Sequence, residues 1–255
     1  MPDLGVVERL RAAGCVFAEE EAELLRAAAS GPDELDAMVG RRAGGLPLEH
    51  VVGWAEFAGL RIEVDGGVFV PRRRTEFLVG RAVALARPGA VCVDLCCGSG
   101  AAGAVLLASV PDAEVHASDI EPAAVRCARR NIEPRGGRVY EGDLFEPLPG
   151  ALRGRIEVLV ANVPYVPSED VALLPPEARD HEPLVALDGG ADGLDVLRRV
   201  AAGAAQWLAP GGRLLVETSE RQAGEAVAAV TAHGLGAEIL EDEELYATVL
   251  VATRP

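Results

Sequence analysis

From Ala90 to the C-terminus, short apolar runs alternate with segments of helical spacing, and this alternation constrains the fold more than any other feature. The runs at 91–95, 113–118, 137–141, 156–161, 212–217, 235–240 and 246–252 read as strands. The segments near 101–109, 121–131, 192–208 and 220–232 read as helices. Strands and helices that alternate in this way belong to a mainly parallel, doubly wound sheet covered on both faces. The last two runs are joined only by Glu241–Glu244, too few residues for a crossover helix, so the chain should end in an antiparallel hairpin.

Residues 1–45 carry helical apolar spacing at Val6, Val7 and Leu10, at Leu24 and Leu25, and at Leu35, Met38 and Val39. Pro32 suits the first turn of a third helix. Gly44, Gly45 and Pro47 end this segment. Between Val51 and Val70, Leu60, Ile62 and Val64 alternate ahead of Asp65-Gly66-Gly67, the pattern of a β-hairpin. Helical spacing returns over 75–86. The division expected is a helical domain at 1–45, a hairpin linker at 46–72 and an α/β domain at 73–255.

Half of the residues are hydrophobic (49%), enough for a sizeable core, and no stretch is long and apolar enough to span a membrane. The N-terminus lacks a basic region before an apolar one, so no secretory signal is expected. Five cysteines, an odd number lying mostly in apolar segments, suit a reducing cytoplasm. The net charge of −16, with all 24 basic side chains arginine, argues against direct nucleic-acid binding. No His or Cys pair stands at zinc spacing near Cys96-Cys97, so no metal is expected and those thiols read as small buried groups.

Ligands of open α/β sheets bind at the C-terminal strand edge. At the end of the first long run stand Asp94, Leu95 and then Cys96-Cys97-Gly98-Ser99-Gly100, a glycine turn opening a helix, where backbone N–H groups and the helix dipole face a ligand. The turn is neither a dinucleotide fingerprint, because Cys96 occupies the place of its first glycine, nor a P-loop, because Gly-Lys-Ser/Thr is absent. Asp119 and Ile120 end the second run. A carboxylate there suits two ribose hydroxyls, or it caps the following helix. Asp143 and Leu144 end the third, where an acid can receive an adenine amino group beside an apolar wall, or simply make a turn. Asn162-Val163-Pro164-Tyr165 ends the fourth run: an amide, a rigid proline and an aromatic face able to hold a planar nitrogen.

This constellation resembles the class I S-adenosylmethionine-dependent methyltransferases. Asn162-Val163-Pro164-Tyr165 matches the Asn/Asp/Ser-x-Pro-aromatic motif of those that act on amino or amide nitrogens. The resemblance sharpens at Pro47–Gly53, Glu56-Phe57, Val70–Glu76, His181-Glu182-Pro183, Ala186-Leu187, Gly189-Gly190 and Asp192-Gly193-Leu194. In that order these blocks are similar to the protein-(glutamine N5) methyltransferases that modify class 1 peptide-chain release factors.

The resemblance implies a Rossmann-like seven-stranded sheet whose last strand is antiparallel, S-adenosylmethionine as methyl donor, and a Gly-Gly-Gln glutamine as acceptor. It also implies N-terminal helices that dock the protein substrate. Cys96–Gly100 would line the methionine part of the cofactor, Asp119 and Ile120 the ribose, and Asp143 and Leu144 the adenine. Asn162 and the Val163 carbonyl would accept from the target NH2, while Pro164 and Tyr165 complete the catalytic loop and Tyr165 packs on the amide. Pro71 and Thr75 would adjoin the substrate, and His181-Glu182-Pro183 would brace the loop. The chain departs from the family at Val163, where Pro is common, at Cys96, where Gly is usual, and at Arg73-Arg74, which replace Pro-Asp or Gln-Asp. The alternative is N-methylation of a small amino or amide metabolite.

Overall fold

The computed structural model describes residues 3–255, with side chains from Gly5 onward. Three helices, α1 (Asp3–Ala12), α2 (Ala18–Ala28) and α3 (Pro32–Ala43), precede the short α4 (Leu48–Val52). They share a core of their own in which Leu10, Ala22, Leu25 and Val39 are fully buried. A two-stranded hairpin follows, β1 (Trp54–Phe57) and β2 (Leu60–Glu63). Its turn lies at Ala58-Gly59, both at positive φ (48° and 76°). Asp65-Gly66-Gly67 makes the next turn, closed by the Val68 N–H on the Asp65 carbonyl. Periodicity located β2 but set the hairpin's turn at Asp65-Gly66-Gly67, whereas the two strands are joined at Ala58-Gly59, where an alanine takes a left-handed torsion that no sequence signal marks.

The larger unit runs α5 (Thr75–Leu85), β3 (Val91–Leu95), α6 (Ala101–Ser109), β4 (Glu114–Asp119), α7 (Pro122–Ile132), β5 (Arg138–Glu141), β6 (Ile156–Ala161), α8 (Pro176–His181), α9 (Asp195–Trp207), β7 (Leu208–Thr218), α10 (Ala223–Thr231), β8 (Gly236–Asp242) and β9 (Ala247–Thr253). The seven strands order as β5-β4-β3-β6-β7-β9-β8. Neighbours from β5 to β7 pair in parallel, and β9 is antiparallel to both β7 and β8. Side chains alternate across the sheet. Val91, Val93 and Leu95 join the core with Leu197, Val200 and Ala204 of α9. Cys92 joins the opposite core with Leu78, Val79 and Ala82 of α5.

β7 begins earlier than its apolar run, at Leu208, and carries Gly211-Gly212 through the strand with a bulge between Ile156 and Val158. A Cβ on Gly212 would lie 2.6 Å from the Ile156 carbonyl, so glycine there serves strand contact rather than a break. α9 begins three residues late because Gly189–Gly193 is held in a loop, with Gly193 at φ +78°.

Strand order reverses beside β3: β4 lies on one flank and β6 on the other. The crevice past their C-terminal ends is where such a sheet binds ligands.

Candidate active site

A cavity of about 470 Å³ opens at that crevice. Its wall includes Pro71 and Thr75, then Cys96, Cys97, Gly98 and Ser99, then Asp119, Ile120, Asp143 and Leu144, and all four residues Asn162–Tyr165. Of the residues expected at the site, only Gly100 is absent from the wall. It caps α6 at φ +79°, and a Cβ there would meet Ile132 Cδ1 at 2.9 Å and Ala128 at 3.0 Å, so it serves helix packing instead.

The glycine turn is tied to the neighbouring strand β4. Gly98 donates its N–H to Asp119 Oδ2 (2.8 Å) and Cys97 donates to the Ser118 carbonyl (3.1 Å). Asp119 Oδ1 also accepts the Glu121 N–H (2.9 Å) at the entrance to α7. Asp119 thus organises the turn with a carboxylate that lines the cavity, while the N-cap of α7 is Glu121 and carries no side-chain cap bond. Burial raises the Asp119 pKa against these two backbone donors. Asp94 is almost wholly buried and accepts the Gly103 N–H (2.9 Å); burial lifts it to about 7. Burial also pushes the Cys96 and Cys97 thiols up, so both are protonated and unreactive at neutral pH.

Asp143 pairs with Arg199 of α9 at the cavity wall. Arg199 lies 56 residues along the chain from its partner, and no local pattern marks it.

At the other end, β6 delivers the Asn162–Tyr165 loop. Asn162 Oδ1 is buried and accepts no hydrogen bond among the described residues. Val166 bridges to Asp188, and Gly189 donates its N–H to the Val166 carbonyl (2.8 Å). A Cβ on Gly189 would lie 2.7 Å from the Pro164 carbonyl, and one on Gly193 would collide with the Tyr165 carbonyl. The glycine stretch is thus the close-fitting back of this loop. Gln222 adds a side-chain N–H to the Tyr165 carbonyl and another to the Asp192 carbonyl, each 2.9 Å.

Tyr165 is held by its hydroxyl, which donates to Glu217 Oε1 (2.9 Å) and accepts from Arg74 Nη2 (2.5 Å). Glu217, 3% exposed at the end of β7, also accepts Arg74 Nε (2.9 Å) and the Thr75 hydroxyl (2.6 Å). Thr75 thus spends its hydroxyl on Glu217. Arg73 is exposed and stands outside the cavity wall. Glu182, not His181, is the braced member of its block: both its oxygens receive Arg72 (2.6 Å) and one accepts the Val70 N–H (3.1 Å). Glu217, Gln222, Arg199 and Glu182 are the working residues for which sequence reasoning had no role or only a vague one. Their partners are distant along the chain.

Against known proteins, the Methyltransferase small domain family matches residues 62–173. A release factor glutamine methyltransferase of Geobacter sulfurreducens is 42% identical over 197 residues, covering 75% of this chain and 68% of that one. The chain belongs to the release factor glutamine methyltransferase family.

A 4-amino-L-phenylalanine/4-methylamino-L-phenylalanine methyltransferase of Streptomyces pristinaespiralis is 38% identical over 203 residues, covering 77% of this chain and 69% of its own. Among solved structures, a methyltransferase from Pyrococcus furiosus aligns with a TM-score of 0.59 at 16% identity, over 86% of this chain and 97% of that one. The sheet is accordingly that of a class I methyltransferase, with the antiparallel end strand in place. No described helix is long and apolar enough to cross a membrane.

Proposed function

We propose that this protein methylates the side-chain amide nitrogen of a glutamine in a protein, the Gly-Gly-Gln of a class 1 peptide-chain release factor, using S-adenosylmethionine. The observation that carries the reading is Asn162 Oδ1, a buried acceptor without a partner on the wall of the family's site. A buried carbonyl oxygen left unpaired costs about 1–3 kcal/mol, a cost that an N–H donor from the substrate removes.

The residues present fit the cofactor. Asp119 offers a carboxylate at the end of β4, Gly98 and Ser99 leave the turn open, and Leu144 and Ile120 supply apolar wall beside Asp143. Cys96–Ser99 would hold the methionine part, Asp119 and Ile120 the ribose, and Asp143 and Leu144 the adenine. Bound there, S-adenosylmethionine supplies an electrophilic sulfonium methyl.

The protein's own contribution is to the nitrogen. An amide lone pair is shared with its carbonyl and points nowhere useful by itself. Asn162 Oδ1 and the Val163 carbonyl accept its two hydrogens, fix its direction and favour pyramidalisation toward the methyl carbon. Pro164 keeps the loop rigid and Tyr165 covers the amide plane. Val163 acts through its carbonyl, so the change from proline does not remove the acceptor. Orientation and exclusion of water then carry most of the rate. The helices of 1–45, joined through 46–72, would dock the protein substrate to the 73–255 unit. Five free cysteines support a cytoplasmic location.

Incubation with labelled S-adenosylmethionine and release factor, wild type or Gln→Ala at Gly-Gly-Gln, should label only the wild type. Asn162→Ala should lower kcat by roughly 100-fold or more while leaving cofactor affinity nearly unchanged. One observation favours a second reading, methylation of a small amino or amide metabolite: the kinship with the amino-phenylalanine enzyme. Cofactor binding without label on either release factor would sink the first reading and favour a metabolite acceptor or a binding role.

A further inference from the structure

We propose that Arg74 is a specificity-determining residue whose guanidinium donates to the carbonyl oxygen of the acceptor, so that the pocket takes an amide in preference to an amine. The inference rests on the amide-methylation reading above and names a residue where the chain departs from its family's usual pattern.

A primary amide brings two N–H donors and one carbonyl acceptor; an alkyl amine at neutral pH brings donors, a positive charge and no acceptor. The cavity wall contains an unpaired acceptor, Asn162 Oδ1. It also contains an open donor. Arg74 lines the cavity, its Nε is taken by Glu217 and its Nη2 by Tyr165, and its Nη1 has no hydrogen bond among the described residues. The side chain is 45% exposed.

The neighbouring donors are committed. The hydroxyl protons of Tyr165 and Thr75 both go to Glu217. The other cationic side chains of the wall, Arg72 and Arg199, pair through Nη2 with Glu182 and Asp143; of the three, Arg74 alone bonds the Asn162–Tyr165 loop among the described residues, through the Tyr165 hydroxyl. Glu217 in turn holds the guanidinium at its Nε, and the ring of Tyr165 has its centroid 5.8 Å from Arg74 Cζ. A planar fork anchored at two of its three nitrogens presents the third in a set direction, which a lysine cannot do. An acid at this position would instead set a second carboxylate against Glu217, so the change to arginine reverses the sign of this wall.

The test compares binding of two semisynthetic release factors, with glutamine or ornithine at the acceptor position, to the full-length protein saturated with S-adenosylhomocysteine. Ornithine keeps the chain length and removes the carbonyl. The wild-type protein should bind the glutamine form more tightly, and Arg74→Ala should erase about 10- to 100-fold of that preference, with S-adenosylhomocysteine affinity within about twofold. Arg74→Lys keeps a cation for Glu217 but not the fork; it should restore the melting temperature lost in Arg74→Ala and leave the preference reduced. Undiminished preference in Arg74→Ala, or full restoration of preference by lysine, overturns the assignment while leaving amide methylation standing. A wild-type protein that binds S-adenosylhomocysteine but neither release factor sinks both.

Discussion

Cys96 holds a backbone torsion, φ +55°, that glycine adopts at little cost and other residues do not. Its place at the head of the turn could be read from the sequence, as a cysteine standing where related turns have glycine. The structure adds that the torsion persists after the side chain has changed. Comparing Cys96→Gly with Cys96→Ala isolates that torsion from loss of the thiol. The glycine variant should be the more stable by about 1 kcal/mol in urea titrations. Asp94 two residues earlier gives a pH signature. Its pKa is about 7 in the folded protein against 3.8 when unperturbed. The native state therefore holds a proton that the unfolded chain releases, and this contribution is complete below pH ~4 and lost as pH rises through ~7. Asp94→Asn keeps an acceptor for Gly103 and removes the titration, so the wild-type protein should lose stability relative to the variant across that window, measured by thermal melts at a series of pH values.

Between β6 and α9 the chain has little regular structure beyond α8, yet it supplies Leu174, Pro175, Ala178 and Val185 to the cavity wall. Its anchor is Glu182, whose side chain is fully buried. Glu182→Ala would leave Arg72 without its carboxylate and the Val70 N–H without an acceptor, at a cost of about 2–4 kcal/mol. The expected result is a lower melting temperature together with faster proteolytic cleavage within 166–187, while the strands of the sheet keep their hydrogen-exchange protection. Limited proteolysis with mass spectrometry reads this directly. Sequence periodicity reached the strands and longer helices of the sheet to within a few residues, because the sheet's two apolar faces impose it, but it marked no helix at α8. The anchoring of an irregular loop leaves no periodic trace; the His-Glu-Pro block flagged a brace but not which residue served.

Across the whole molecule, the N-terminal helices and the cavity's outer wall share one arginine. Arg42 of α3 bonds both carboxylate oxygens of Glu21 (2.6 and 3.0 Å), the Leu46 carbonyl (3.1 Å) and Glu177 of α8 (2.6 Å). Glu21 and Arg42 are buried, whereas Glu177 is about half exposed. Arg42→Ala should therefore destabilise the protein by roughly 3 kcal/mol, since it strands a buried carboxylate. Glu177→Gln should change stability by under about 1 kcal/mol, because its partner keeps Glu21 and the glutamine keeps an acceptor. If the helices act only as a docking surface, Glu177→Gln should leave methyl transfer untouched. If they also position the wall around α8, it should raise KM for the protein substrate without changing cofactor affinity, as steady-state kinetics would reveal.

The sequence by itself determined the layered α/β architecture, the antiparallel end of the sheet, the glycine turn and the loop Asn162–Tyr165, because hydrophobic period and strand-end chemistry are local properties of the chain. Only the tertiary structure decided which acids are free and which are committed. Asp143 is bound to Arg199, and Thr75 and Tyr165 converge on Glu217, so residues 52 to 142 positions apart act as one unit. It also separated the two departures at 73 and 74, setting Arg73 outside the cavity wall and Arg74 in it. That distinction follows from which face of a helix start meets β7, and adjacency in the chain carries no information about it.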